Sequence, residues 1–360
     1  MKTLNFARIS SIILLLFLLF SNTIFSNTLF GGIEIGSKGV KISVIDVENA
    51  KKNLFTLKEF WTENVGIAKG ISIDGNLGLE DIDTASKIVF ANFVKLSNEY
   101  HIDVNNIFIV ASSGVGLAKN TDVLTNKIKE LTKKDMEIIS SKLEAKLLFR
   151  GSIAQKFYNN SLILDIGGGN TKGGFIENYN GDNSVFFPLN LDFGTVTLTE
   201  KINKKVKNQN DIVEYSDLVF SQNKDLSILI NKMYDERSAS RKKVNVYMSG
   251  GAVWAFFTLT NGLAKDNFAQ FTYGDVQYYD AFLKNNFKKF EDLASTDKEV
   301  EKVLKTYSQK YLITANDLLL KTLENLGDIE SKKLYFVKQG QIAWLLSYVA
   351  DSAKGAKPVY

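Results

Sequence analysis

The chain has 360 residues, 45% of them hydrophobic and 23% charged, with a formal net charge of +4. That is ordinary globular composition, long enough for two domains with a cleft between them and too weakly basic to argue for a nucleic-acid partner. With no cysteine and one histidine, His101, the chain has no disulfides or cysteine metal sites, and a serine-hydrolase triad or a histidine-rich zinc site is disfavoured.

Any chemistry therefore falls to carboxylates and backbone amides. The first segment reads as a secretory leader over residues 1–26. Lys2 and Arg8 give a basic start, residues 12–20 are unbroken apolar, and Ser26 suits the last leader position. Removal of Lys2 and Arg8 with it leaves about +2. An uncleaved anchor is the alternative, although the apolar run is short for a full membrane span. The expected address is exported, periplasmic or extracellular.

Two segments then resemble each other. Glu34-Ile35-Gly36-Ser37-Lys38-Gly39 and Asp165-Ile166-Gly167-Gly168-Gly169-Asn170-Thr171 each follow an apolar run and lead into another. Each spells strand, tight turn, strand, and two such hairpins predict a duplicated architecture. Helical periodicity is expected over 79–100, 120–133 and 141–155. Short strands are expected at 107–111 and 136–139. Beyond the second hairpin, strands are expected at 184–191, 244–248 and 334–337. Helices are expected through 237 and at 252–259, 278–287, 300–311, 317–326 and 342–353. The charged stretch 288–305 reads as a solvated helix face, and His101 as a solvent-facing loop residue. Alternating strands and helices give an α/β chain, with domains expected at 28–158 and 159–360.

Bare backbone in a turn lets amide N–H groups approach an anion. Gly36, Ser37, Lys38 and Gly39 in one turn, and Gly167, Gly168, Gly169, Asn170 and Thr171 in the other, are thus candidate phosphate-binding residues. Ordinary hairpin turns would use the same residues. Ser249 and Gly250, between a strand and a helix, form a third candidate corner. Asp165, and Glu34 in the matching position, are candidate ligands for a hydrated divalent cation. For Glu144 two readings stand: a capping box starting at Ser141, or a carboxylate available for chemistry.

Five blocks in order resemble the exopolyphosphatase and guanosine-pentaphosphate phosphatase family of the actin-like superfamily. They are Glu34-Ile35-Gly36-Ser37; Val110-Ala111-Ser112-Ser113; Ile139-Ser140-Ser141-Lys142-Leu143-Glu144-Ala145-Lys146; Leu164-Asp165-Ile166-Gly167-Gly168-Gly169; and Phe193-Gly194-Thr195-Val196-Thr197. The resemblance implies two actin-like (ribonuclease H-like) α/β lobes with an active-site cleft between them. It implies terminal phosphoanhydride hydrolysis with Glu144 as general base, Ser112 among the phosphate-binding residues, and Mg2+ or another divalent cation as cofactor. Polyphosphate or a nucleotide is the expected partner, nucleic acid is not, and a homodimer is a further expectation. The chain departs from the family where Lys172 replaces an acid, Gly116 an arginine and Leu143 an acid, and at Lys338-Gln339-Gly340. The competing readings are an apyrase-like nucleoside di- or triphosphatase and a non-catalytic polyphosphate- or nucleotide-binding module.

Overall fold

The computed structural model describes residues 28–49, 54–180, 184–262 and 266–353; the leader expected at 1–26 lies outside them. Among the described residues no helix is long and apolar enough to cross a membrane. The first sheet contains β1 (Thr28–Ile35), β2 (Gly39–Asn49), β3 (Leu54–Asn64), β4 (Ile107–Ala111) and β5 (Met136–Ile138), ordered β3-β2-β1-β4-β5. Its helices are α1 (Leu79–Asn98), α2 (Thr121–Thr132) and α3 (Ser141–Ser152). The second sheet contains β6 (Ser161–Ile166), β7 (Thr171–Glu177), β8 (Val185–Leu191), β9 (Asn245–Ser249), β10 (Phe268–Phe271) and β11 (Lys333–Val337), ordered β10-β11-β9-β6-β7-β8.

The two sheets share one topology. In each, an antiparallel hairpin (β1–β2, β6–β7) is extended by a third antiparallel strand (β3, β8). On the hairpin's other side two parallel strands follow, β4 and β5 in one sheet, β9 and β11 in the other. β10 is an addition, antiparallel on the far edge of β11. The duplication expected from the two glycine-rich hairpins is thus present strand for strand.

Helices follow the apolar periodicity. In α1, Ile82, Ala85, Val89 and Leu96 are buried on one face, against Ile33, Ile107 and Ile109 of the first sheet. The second sheet packs against a larger helical layer. It consists of α4 (Thr195–Asn203), α5 (Ile212–Ser221), α6 (Asn223–Asp235), α7 (Gly251–Asn261), α8 (Tyr273–Asn285), α9 (Lys288–Ala294), α10 (Lys298–Thr306) and α11 (Gln309–Glu324). The last helix, α12 (Gly340–Ala353), leaves the second sheet and packs on α3, β1 and β2. A third apolar core therefore lies between the sheets. It joins Ile45 and Val110 of the first to Ile163 and Ile176 of the second through Phe149, Trp344 and Leu345.

Most expected elements lie within a few residues of the observed ones; four details differ. β3 and β10 are strands that the periodicity left unassigned. The expected helix at 300–311 is interrupted at Tyr307, where Ser308 accepts from Tyr311 N and starts α11 afresh. The cap of α3 is Ser140, which accepts from Leu143 N at 3.2 Å, so a capping box from Ser141 to Glu144 does not form. That leaves the Glu144 side chain for another task. His101 is exposed, with φ of 54°.

Candidate active site

The site is built on the two equivalent hairpins. Gly36 N donates to Gly39 O at 2.9 Å, and Gly167 N to Asn170 O at 3.0 Å, closing each turn. The turns meet: a Cβ on Gly168 would lie 3.0 Å from Ser37 Cβ, and one on Gly169 would lie 2.8 Å from Gly114 O. Only glycine allows that approach. The start of α4 supports the second turn through Thr195 N to Gly167 O and Val196 N to Gly168 O, both 2.9 Å.

A cleft of about 220 Å3 opens between these turns, the α3 start and the α7 and α12 starts. Gly36, Ser37, Lys38, Gly39, Ser112, Gly167, Gly168, Asn170 and Gly250 line it, together with Glu34, Asp165 and Glu144. Gly169, Thr171 and Ser249 do not line it. Thr171 and Ser249 are fully buried beneath it, and Gly169 is packed between Gly114 and Ser37. Gly250 has φ of 98°, and a Cβ there would lie 2.3 Å from Ile166 O, so the third corner requires glycine.

Glu144 sits in the first turn of α3 and is 2% exposed. Its Oε2 accepts from Ser113 N at 2.9 Å and Ser113 Oγ at 2.6 Å. Ser113 Oγ in turn accepts from Asn170 Nδ2 at 2.8 Å, which links the carboxylate to the second turn. Its Oε1 faces Lys172 Nζ at 2.9 Å.

Lys172 also lies 2.7 Å from Asp165 Oδ2, and its ammonium reaches Asn170 Oδ1 at 3.4 Å. Those three acceptors use all three donors of an ammonium. Burial alone would depress the Lys172 pKa, but attraction to Asp165 and then Glu144 outweighs it and holds the group above the ordinary lysine range.

The first hairpin repeats the arrangement. Lys41 Nζ lies 3.0 and 3.2 Å from the two Glu34 oxygens and donates to Gln341 O at 2.9 Å. Burial pushes Glu34 up to about 7, with repulsion from Glu144 adding to it and Lys41 opposing it. Lys38 Nζ lies 4.7 Å from the Tyr311 ring centre and 5.7 Å from that of Tyr307. Those two rings stack at 4.3 Å. Burial first, then the Lys69 charge, lowers the Lys38 pKa. Four lysines (38, 41, 172 and 302) face three carboxylates (34, 144 and 165) around the cleft, a formal excess of one positive charge.

These residues do not fit a divalent ion. Mg2+ takes about six oxygen ligands at roughly 2.0–2.1 Å. Here Asp165, Glu144 and Glu34 already hold ammonium groups, and no cluster of three histidine or acidic side chains suited to one metal ion occurs among the described residues. Ser113, Lys41, Lys302, Tyr307 and Tyr311 are site residues that the sequence reading passed over. For Lys41 a signal existed: an acid and a lysine seven residues apart recur in both hairpins, as Glu34 and Lys41 and as Asp165 and Lys172.

The sequence profile of the Ppx/GppA phosphatase family matches residues 45–241. A bifunctional 3-dehydroquinate synthase/phosphatase from Fusobacterium nucleatum is 28% identical over 186 residues, 50% of this chain and 27% of that protein. A guanosine-5'-triphosphate,3'-diphosphate pyrophosphatase from Pseudoalteromonas translucida is 29% identical over 147 residues, 41% of this chain and 28% of that one. The chain thus spans under a third of the length of these curated relatives. Among solved structures, an exopolyphosphatase from Cytophaga hutchinsonii superimposes with a TM-score of 0.66 at 17% identity, covering 92% of this chain and 99% of that one. That likeness concerns the fold.

Proposed function

We propose a function from one premise: the chain belongs to the Ppx/GppA phosphatase family. The reading is hydrolysis of the terminal phosphoanhydride bond of polyphosphate in the cleft between the two sheets. The observation that carries it is Glu144, a buried carboxylate held between two glycine turns whose backbones line an anion-sized space.

In the resting site Lys172 occupies Glu144 Oε1. A terminal phosphate entering the cleft competes for that ammonium. Once an N–H of Lys172 turns to a phosphate oxygen, Oε1 is free to accept a proton from water. The water oxygen bonds to the terminal phosphorus, the bridging P–O bond breaks, and the shortened chain leaves with its electron pair. The proton on Glu144 passes to the leaving oxygen, so the carboxylate is regenerated. Amides of the two turns, Lys38 and Lys172 offset the charge on the transferring group. The family resemblance implies a divalent-cation cofactor. Here Asp165 and Glu34 are paired with lysines, and ammonium groups rather than Mg2+ meet the phosphate charge.

A second reading, a nucleoside di- or triphosphatase, is favoured by Trp254, which is half-buried at the cleft and edge-on to Tyr307 at 5.9 Å, an aromatic surface for a base. The small cleft volume favours one end of an elongated anion over an enclosed nucleotide. An exported address and a homodimer belong to the same proposal. Phosphate release from long-chain polyphosphate, tripolyphosphate and ATP tests it. The expected order puts polyphosphate first. Release from ATP alone selects the second reading, and tight binding with no release from any of them selects the non-catalytic module.

A further inference from the structure

The two acids expected to gather a metal are instead matched, lobe by lobe, with lysines of the chain itself. Glu34 and Lys41 are direct cross-strand partners in β1–β2, and Asp165 and Lys172 are direct cross-strand partners in β6–β7. Residues directly opposite in an antiparallel pair are close enough for charge pairing. The duplicated hairpin therefore places the same acid–lysine pair in equivalent positions of both lobes. In the second lobe the lysine goes further and bridges two carboxylates, Asp165 Oδ2 at 2.7 Å and Glu144 Oε1 at 2.9 Å. The ammonium thus fills the space between an aspartate at a strand end and the candidate base. The ammonium there is 4% exposed, which leaves no shell of water for a second cation beside it.

We propose that Lys172 and Lys41 are built-in counter-cations, so that the cleft holds a phosphate chain without a divalent ion. This rests on the phosphate reading above and deepens it: the ligand is a free polyphosphate anion rather than its magnesium complex. Lys172 carries its charge in the resting site as a bridge between carboxylates and shares it with the phosphate on binding. Lys41 keeps Glu34 from repelling the same anion.

Two measurements on the full chain test this. The first is a Mn2+ titration followed by the electron paramagnetic resonance signal of the free ion, with no phosphate present. The wild type is expected to take up no ion at the cleft, and Lys172→Glu to take up one per chain. Uptake of one ion by the wild type that is lost in Asp165→Asn overturns the proposal, whether or not Lys172→Glu folds. The second is calorimetric binding, with and without EDTA, of a tripolyphosphate whose bridging oxygens are replaced by methylene groups and which cannot be hydrolysed. The expected affinities agree within about twofold, and Lys172→Met is expected to bind about tenfold more weakly, the loss of one charge-assisted contact. A drop of about tenfold or more on adding EDTA to the wild type contradicts it. Absence of binding of this analogue in either buffer would defeat the phosphate reading, while the Mn2+ titration still decides the metal question.

Discussion

Lys172 is where the competing forces on this site meet. A buried ammonium is unfavourable alone, and so are buried carboxylates. Here one cation serves Asp165 and Glu144 at once, and removing it leaves both without that partner. Lys172→Met is accordingly expected to lose roughly 3–5 kcal/mol of stability, measured by chemical denaturation. A loss near zero would mean the carboxylates find other partners. Glu144→Gln is expected to keep its Ser113 contacts through the amide oxygen, to bind tripolyphosphate and to lose turnover by about 100-fold or more. At this scale the sequence was informative about acids and turns and nearly silent about their partners. Glu144 and the glycines stand out because few residue types can do what they do. Lys172 stood out only as the replacement of a family acid, and Lys41 not at all, until the β1–β2 and β6–β7 registers placed each opposite an acid. The Ser140 cap, one residue earlier than expected, is what frees Glu144 for the cleft.

Elements were legible where one face is buried with a steady period, as in α1 and α2, and illegible where that period is broken. β3 is the clearest case. Its pairing with β2 shifts between Val44 and Ile45, where Leu57 and Glu59 face successive β2 residues and Lys58 is left over. The bulge inverts which residues face the core, so no single alternation runs through the strand. The strand-to-helix corner before α7 allows a direct test. Gly250→Ala puts a Cβ 2.3 Å from Ile166 O at a φ of 98°, and is expected to destabilise the protein by about 1–3 kcal/mol, read from its thermal midpoint. No change would mean the corner relaxes freely. In α11, burial raises the Asp317 pKa to about 7; Lys321, Asn223 and Lys284 oppose the shift and Asp280 adds to it. Because the folded pKa lies above the ordinary 3.8, the folded state binds the extra proton between those values. Stability from this group is full below pH 3.8 and falls as pH rises through about 7. Asp317→Asn is expected to flatten that stretch of the stability profile and to be more stable at pH 8, on the order of 2 kcal/mol. An unchanged slope would contradict the assignment.

For the whole molecule, duplication explains both the fold and the placement of the site. Two hairpins of like sequence give two sheets of like topology, and their turns meet where the lobes face each other. The duplicated architecture was therefore readable from the repeat, and the α/β class from the alternation of strands and helices. The return of α12 to β1, β2 and α3 was not, since nothing in its apolar periodicity says which sheet it covers. That return builds the third core beneath the cleft and brings Gln341 O to Lys41. The proposed reaction of this cleft is cleavage of terminal phosphoanhydride bonds with Glu144 as the base. Its most direct test is phosphate release from tripolyphosphate by wild type and Glu144→Gln, in EDTA and in magnesium. The wild type is expected to release phosphate in both buffers and the variant in neither. Equal release by the variant and the wild type would contradict it.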